Sequence, residues 1–107
     1  MAILHIVLAK IDDSCLKESR EDVYRQIHLL LDAIPVPKHD VRVGPPLNPS
    51  TTGGYDIMLA MTFDKPQDFN AYLVHPKHLQ ILKRYGPPVF KDMIAYQADG
   101  SAPKSKL

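Results

Sequence analysis

The chain has 107 residues, enough for one hydrophobic core, since domains commonly run ~100 to 150 residues. Thirteen basic against twelve acidic residues leave a formal charge of +1 with no basic stripe, which excludes the electrostatic footprint of a nucleic-acid-binding surface. A lone cysteine, Cys15, excludes an internal disulfide, and no apolar stretch approaches the ~20 residues of a membrane span.

Ile3 to Lys10 is an apolar, β-branched run interrupted by His5, and predicts a buried strand with Ile3, His5 and Val7 on one face. An imidazole inside such a strand needs a partner for each ring nitrogen or a cavity beside it. Ser19 followed by Asp22 has the form of an N-cap with an acidic first turn. Val23, Ile27, Leu30, Leu31 and Ile34 then recur at helical spacing, so an amphipathic helix is expected to end before Pro35. His39 to Gly44 predicts a short second strand with Val41 and Val43 on one side, and Pro45 to Gly54 holds turn formers without periodicity, the mark of a loop.

Tyr55 to Phe63 is the clearest strand, with Tyr55, Ile57, Leu59, Met61 and Phe63 alternating against Asp56, Met58, Ala60 and Thr62. Both alternating sets are fairly apolar, which predicts that the second sheet face is covered as well, by a partner sheet. A chain of this size gains from such a shared face, because alone it buries only about two-thirds of the surface its unfolded form exposes. A homodimer is therefore expected. Helical patterning resumes from Lys65 to Val74, pauses at His75-Pro76, and continues through Leu79 and Leu82 until Gly86-Pro87-Pro88. Val89 to Gln97 predicts the last strand, so the order is βαββαβ, the α+β arrangement of the ferredoxin-like fold.

These elements predict a domain over 1–97 followed by a polar tail over 98–107. The N-terminus lacks the basic region and apolar run of a secretory signal. The tail ends in Ser105-Lys106-Leu107, the peroxisomal tripeptide, a receptor-read address. Peroxisomal localisation, with the import receptor as a partner, is the expectation.

Three segments carry a family resemblance: Ile3-Leu4-His5-Ile6-Val7-Leu8, the Gly54-Tyr55 that precedes a strand ending Thr62-Phe63, and above all Ala71-Tyr72-Leu73-Val74-His75-Pro76-Lys77-His78. In these the chain resembles the stress-responsive A/B barrel (Dabb) family from Ile3 to Tyr96. The resemblance implies a ferredoxin-like monomer whose sheet packs on a second copy in a dimeric α+β barrel. It also implies similarity to the plant polyketide cyclase type, which closes a linear polyketide by a cofactor-free aldol condensation. That type uses a tyrosine and a histidine matching Tyr72 and His78, and a first-strand histidine matching His5. Ile57 stands where the cyclase carries a histidine, so the substrate is expected to differ.

The chemistry fits the residue types. Six positions separate Tyr72 from His78, ~600° on one continuous helix, which leaves the side chains ~120° out of line. Pro76 disfavours helix at His75 and starts a new segment, and the break lets both side chains enter one cavity. His78 is then the expected general base and Tyr72 the donor to a developing oxyanion. His5, Tyr24, Ile57 and His75 are the expected substrate-binding residues, His75 chiefly by shaping the helix start. His28 and His39 have no companions and read as surface residues. No carboxylate or cysteine completes a ligand set with His5, His75 and His78, so neither metal nor cofactor is expected. The function expected is a small cofactor-free enzyme that acts on a polyketide-like or aromatic carbonyl compound by aldol-type cyclisation or related lyase chemistry. The alternative is a non-catalytic stress-response or small-ligand-binding homodimer.

Overall fold

The computed structural model describes residues 1–101. Four strands, β1 (Ile3–Ile11), β2 (His39–Gly44), β3 (Ile57–Phe63) and β4 (Phe90–Asp99), form one antiparallel sheet in the order β2-β3-β1-β4. Three helices, α1 (Arg20–Asp32), α2 (Pro66–Val74) and α3 (Pro76–Tyr85), complete the ferredoxin-like α+β fold expected from the element order.

The register decides which side chains meet the helices. His5 lies opposite Met61 on β3 and Gln97 on β4, and Val7 lies opposite Leu59 and Ala95. With a period of two, β1 therefore turns its odd-numbered residues to the helical layer. There Ala9, Ile57, Leu59, Met61 and Phe63 share one core with Val23, Ile27 and Leu31 of α1 and with Tyr72 and Ile81 of α2 and α3.

Helix α1 forms where its pattern and caps agree. The Ser19 hydroxyl accepts from the Asp22 N–H at 3.2 Å, and Glu21 and Asp22 place negative charge in the first turn. At the other end, the Lys38 ammonium donates to the Ile34 carbonyl at 2.7 Å and Lys77 to the Ala33 carbonyl at 3.2 Å, so acceptors left free by the helix are satisfied.

Two of the boundaries that differ from the sequence pattern have a hydrogen-bonding cause. β3 starts at Ile57 rather than Tyr55, because Asp56 finishes the pairing in another way: its N–H donates to the Ala9 carbonyl at 3.0 Å while its carboxylate accepts from the Ile11 N–H at 2.8 Å. A side chain there takes the place of a main-chain acceptor. At the C-terminal side, β4 runs to Asp99, and Gly100 N–H still donates to the Ala2 carbonyl at 2.9 Å. The last strand thus ends two residues beyond the expected Gln97. Composition marks 98–101 as polar, but pairing with the start of β1 gives these backbone groups partners. The peroxisomal tripeptide Ser105-Lys106-Leu107 lies outside the described residues.

The face opposite the helices carries Leu4, Ile6 and Leu8 from β1, Met58 and Ala60 from β3, and Ile94 and Tyr96 from β4. Tyr96 is 62% exposed and Ile94 42%. The sheet is therefore apolar on both faces, as the alternation in β3 predicts. No helix among the described residues is long and apolar enough to cross a membrane.

Candidate active site

His75 is where the site begins. It stands in an extended conformation, φ −66° and ψ 137°, as the C-cap of α2 and the N-cap of α3 at once. Its Nδ1 accepts from the Lys77 N–H at 3.0 Å. In an unbroken helix that N–H would bond to the carbonyl of Leu73, so the break leaves the Leu73 carbonyl free. The Nδ1–H of His78 takes it, at 2.9 Å.

That bond determines what His78 can do. A carbonyl only accepts, so the proton of the neutral ring sits on Nδ1 and the lone pair is on Nε2. Burial pushes the His78 pKa below the ordinary histidine value, with the Leu73 bond acting in the other direction. The imidazole is neutral at pH 7, and its basic nitrogen has no protein partner among the described residues.

Tyr72 sits in the last turns of α2, only 2% exposed, with its ring 5.1 Å from Phe63 and 4.4 Å from His78 between centroids. Burial raises its pKa well above the usual phenol range, so the hydroxyl stays protonated and can donate. His5 comes from the sheet below, 4% exposed, its ring 5.1 Å from Phe69 and 5.9 Å from Tyr72. The Gln97 amide donates to its Nδ1 at 3.0 Å, which puts the proton of neutral His5 on Nε2. Burial, and after it the positive charge His78 would carry, lower the His5 pKa to about 4.

These three residues line one cavity of about 40 Å³ whose remaining walls are mostly apolar, among them Val7, Leu59, Ile81 and Met93. Among the described residues no buried polar side-chain atom is sealed off without a hydrogen-bond partner. Among the described residues the Tyr72 hydroxyl and His5 Nε2 have no protein partner, and both residues line the cavity. At roughly 10 to 15 Å³ for one water, the space suits a few waters or a small organic group. Wider depressions elsewhere, such as the one beside His28, Asp32 and residues 34–42, are open to solvent and contain none of these three side chains.

The arrangement thus offers a free imidazole lone pair, a phenol donor and an imidazole N–H donor within an apolar enclosure. Such a set can remove a proton next to a carbonyl and stabilise the oxygen that becomes negative. The other expected contacts fall elsewhere. His75 spends its Nδ1 on capping and does not line the cavity, while Ile57 is 1% exposed in the core and also lies outside its lining. Tyr24 points its hydroxyl to the Asp56 carbonyl at 3.4 Å and borders the loop of Pro45 and Pro46 instead. No group of three His, Cys, Asp or Glu side chains among the described residues is arranged to hold a metal ion. Sequence reasoning missed Gln97 and Tyr85, because only the β1–β4 register brings Gln97 to His5 and only the end of α3 brings Tyr85 to the cavity wall.

Comparison with known proteins agrees with this architecture. The chain matches the Stress responsive A/B Barrel Domain over residues 3–98. A dimeric ferredoxin-like protein of unknown function from Thermobifida fusca is 30% identical, with a TM-score of 0.74 over 92% of this chain and 90% of that one. A dimeric protein of unknown function and ferredoxin-like fold from Bacteroides fragilis is 25% identical, with a TM-score of 0.69 over 91% and 94%. The hydroxynitrile lyase from Passiflora edulis has the same fold at 17% identity, with a TM-score of 0.75 over 95% and 97%. No curated protein matches the chain.

Proposed function

The chain belongs to the stress-responsive A/B barrel family, and on that premise we propose that it is a homodimeric, cofactor-free lyase acting on a small carbonyl compound. One observation carries the reading: His78, whose Nε2 is unprotonated, and Tyr72, whose hydroxyl has no partner among the described residues, line one mostly apolar cavity.

In the forward direction, His78 Nε2 takes a proton from the carbon next to a carbonyl, and the electron pair left behind forms an enolate whose oxygen accepts from Tyr72. The enolate carbon attacks a second carbonyl, whose oxygen receives the proton back from His78. Protons and electrons balance without an external oxidant. In reverse, His78 removes the proton of a hydroxyl and the carbon–carbon bond breaks. In this proposal His5 Nε2–H holds the second oxygen. A hydroxynitrile lyase on the same fold supports lyase chemistry here. Similarity to the plant polyketide cyclase type supports the aldol direction, but a cavity of about 40 Å³ favours a short carbonyl compound over a long polyketide chain.

Dimerisation is supported by the apolar open sheet face and by relatives described as dimeric. The terminal Ser105-Lys106-Leu107 supports a peroxisomal address and recognition by the import receptor. A second reading, a ligand-binding homodimer without turnover, is favoured by the mostly apolar lining of the cavity.

Screening small aldehydes, ketones and cyanohydrins for turnover by the full chain tests the proposal. His78→Ala is expected to lower the rate of any activity found by ~10²-fold or more. Turnover at the parent rate by the variant would remove the assignment, and ligand binding without turnover would favour the second reading.

A further inference from the structure

Taking the cavity as the carbonyl site just described, we propose that Tyr85 is its end wall and sets the length of the chain its substrate can carry. Tyr85 is the last residue of α3, 3% exposed, and its ring lines the cavity next to Phe90, 6.1 Å away between centroids and inclined at 27°. The hydroxyl leaves on the far side and donates to the Glu18 carboxylate at 2.8 Å. Beyond it lies a surface groove of about 500 Å³ reaching Cys15, Leu16, Pro88 and Val89. Tyr85 borders both spaces and no other described residue does.

Tyr85 is thus shared by a chamber of about 40 Å³, which is lined by His5, Tyr72 and His78, and a groove more than ten times larger. The ring is held from three sides: by Phe90, by the bond to Glu18, and by the Arg84 guanidinium 4.9 Å from its centroid. The backbone behind it has little room to adjust. A Cβ on Gly86 would fall 2.2 Å from the Leu82 carbonyl oxygen, so glycine is required at the turn that follows Tyr85. A carbonyl group placed in the chamber beside Tyr72 and His78 thus has space for a short substituent and meets the Tyr85 ring when the substituent lengthens. Without the ring, an unbranched alkyl chain would run on into the groove, along Leu16, Pro88 and Val89.

The test uses methyl ketones of increasing chain length, butanone, 2-heptanone and 2-undecanone, titrated into the full-length protein and followed by the imidazole NMR signals of His5 and His78. The parent is expected to bind butanone and to bind undecanone ~10-fold or more weakly. Tyr85→Ala is expected to tighten undecanone by ~10-fold or more relative to the parent, and Tyr85→Phe, which keeps the ring and loses only the Glu18 bond, to retain the parent profile. Tyr85→Leu serves in the same role if the alanine variant does not fold by circular dichroism. If undecanone binds the parent as well as butanone does, or if shortening residue 85 leaves the length profile unchanged, the wall is not at Tyr85 while the carbonyl site stands. If no ketone moves the two histidine signals in any of the proteins, the carbonyl site and the wall fall together.

Discussion

The rings of Tyr72 and His78 lie 4.4 Å apart between centroids and are inclined at 44°, although one residue belongs to α2 and the other to α3. His75 makes this possible by standing extended between the helices, and the Leu73 carbonyl released by the break fixes the imidazole of His78. A helix interruption here has a chemical product, a neutral histidine held by its Nδ1 beside a phenol.

Replacing Tyr72 with Phe keeps the packing against Phe63 and removes only the donor. Turnover is expected to fall ~10² to 10³-fold with little change in KM or melting temperature, the result for a donor used in the transition state. An unchanged kcat would show that the hydroxyl does not meet a developing charge.

Gln97 sets the tautomer of His5, since its amide donates to Nδ1 at 3.0 Å. In Gln97→Glu a carboxylate faces the same nitrogen, and the proton should move to Nδ1, leaving Nε2 as an acceptor in the cavity. Nitrogen-15 shifts of the His5 ring would report the exchange. Identical spectra in parent and variant would mean that Gln97 does not position this ring.

Acid should destabilise the protein through His5. The unfolded residue titrates near 6.5 and the folded one at about 4, so between these values the unfolded chain binds the proton more readily. The contribution is complete above pH 6.5, declines as the pH falls towards 4, and amounts to about 3 kcal/mol at most. His78, also lowered by burial, acts in the same direction. His39 has the opposite sign. Its ring bonds to Asp64 at 2.8 Å and Asp40 at 3.0 Å raise its pKa, so its stabilisation is present below pH 6.5 and fades as the pH rises through the folded value. Denaturant midpoints measured from pH 4 to 7 should be flatter in His5→Phe than in the parent; equal slopes would contradict the assignment.

Tyr96, 62% exposed on the open sheet face, is expected to be covered in a homodimer. Tyr96→Glu should shift the mass measured by light scattering towards the monomer at micromolar concentration while the circular dichroism is retained. A monomeric parent would exclude the dimer.

Deleting Ser105 to Leu107 from a chain tagged at its N-terminus should move the fluorescence from peroxisomes to cytosol. The same distribution with and without the tripeptide would remove it as the address.

The local patterns of this sequence determined most of its fold. Alternation placed Ile57, Leu59, Met61 and Phe63 on one face of β3, Ser19 announced the start of α1, and Pro76 announced the division between α2 and α3, because each depends on the residue itself or on neighbours within one or two turns. The expectation that Tyr72 and His78 share a cavity belonged to the same class, since a proline acts on the residue just before it. The tertiary structure decided what lies far apart in the chain. Gln97 meets His5 across 92 positions and Tyr85 meets Glu18 across 67, and neither contact leaves a periodic trace, since a single polar or aromatic residue carries no record of the register that will bring it to its partner. Ile57, Tyr24 and His75 stand outside the cavity for the same reason: residue type made them eligible, but the Asp56 bonds, the helix cap and the packing of β3 against α1 settled where they went.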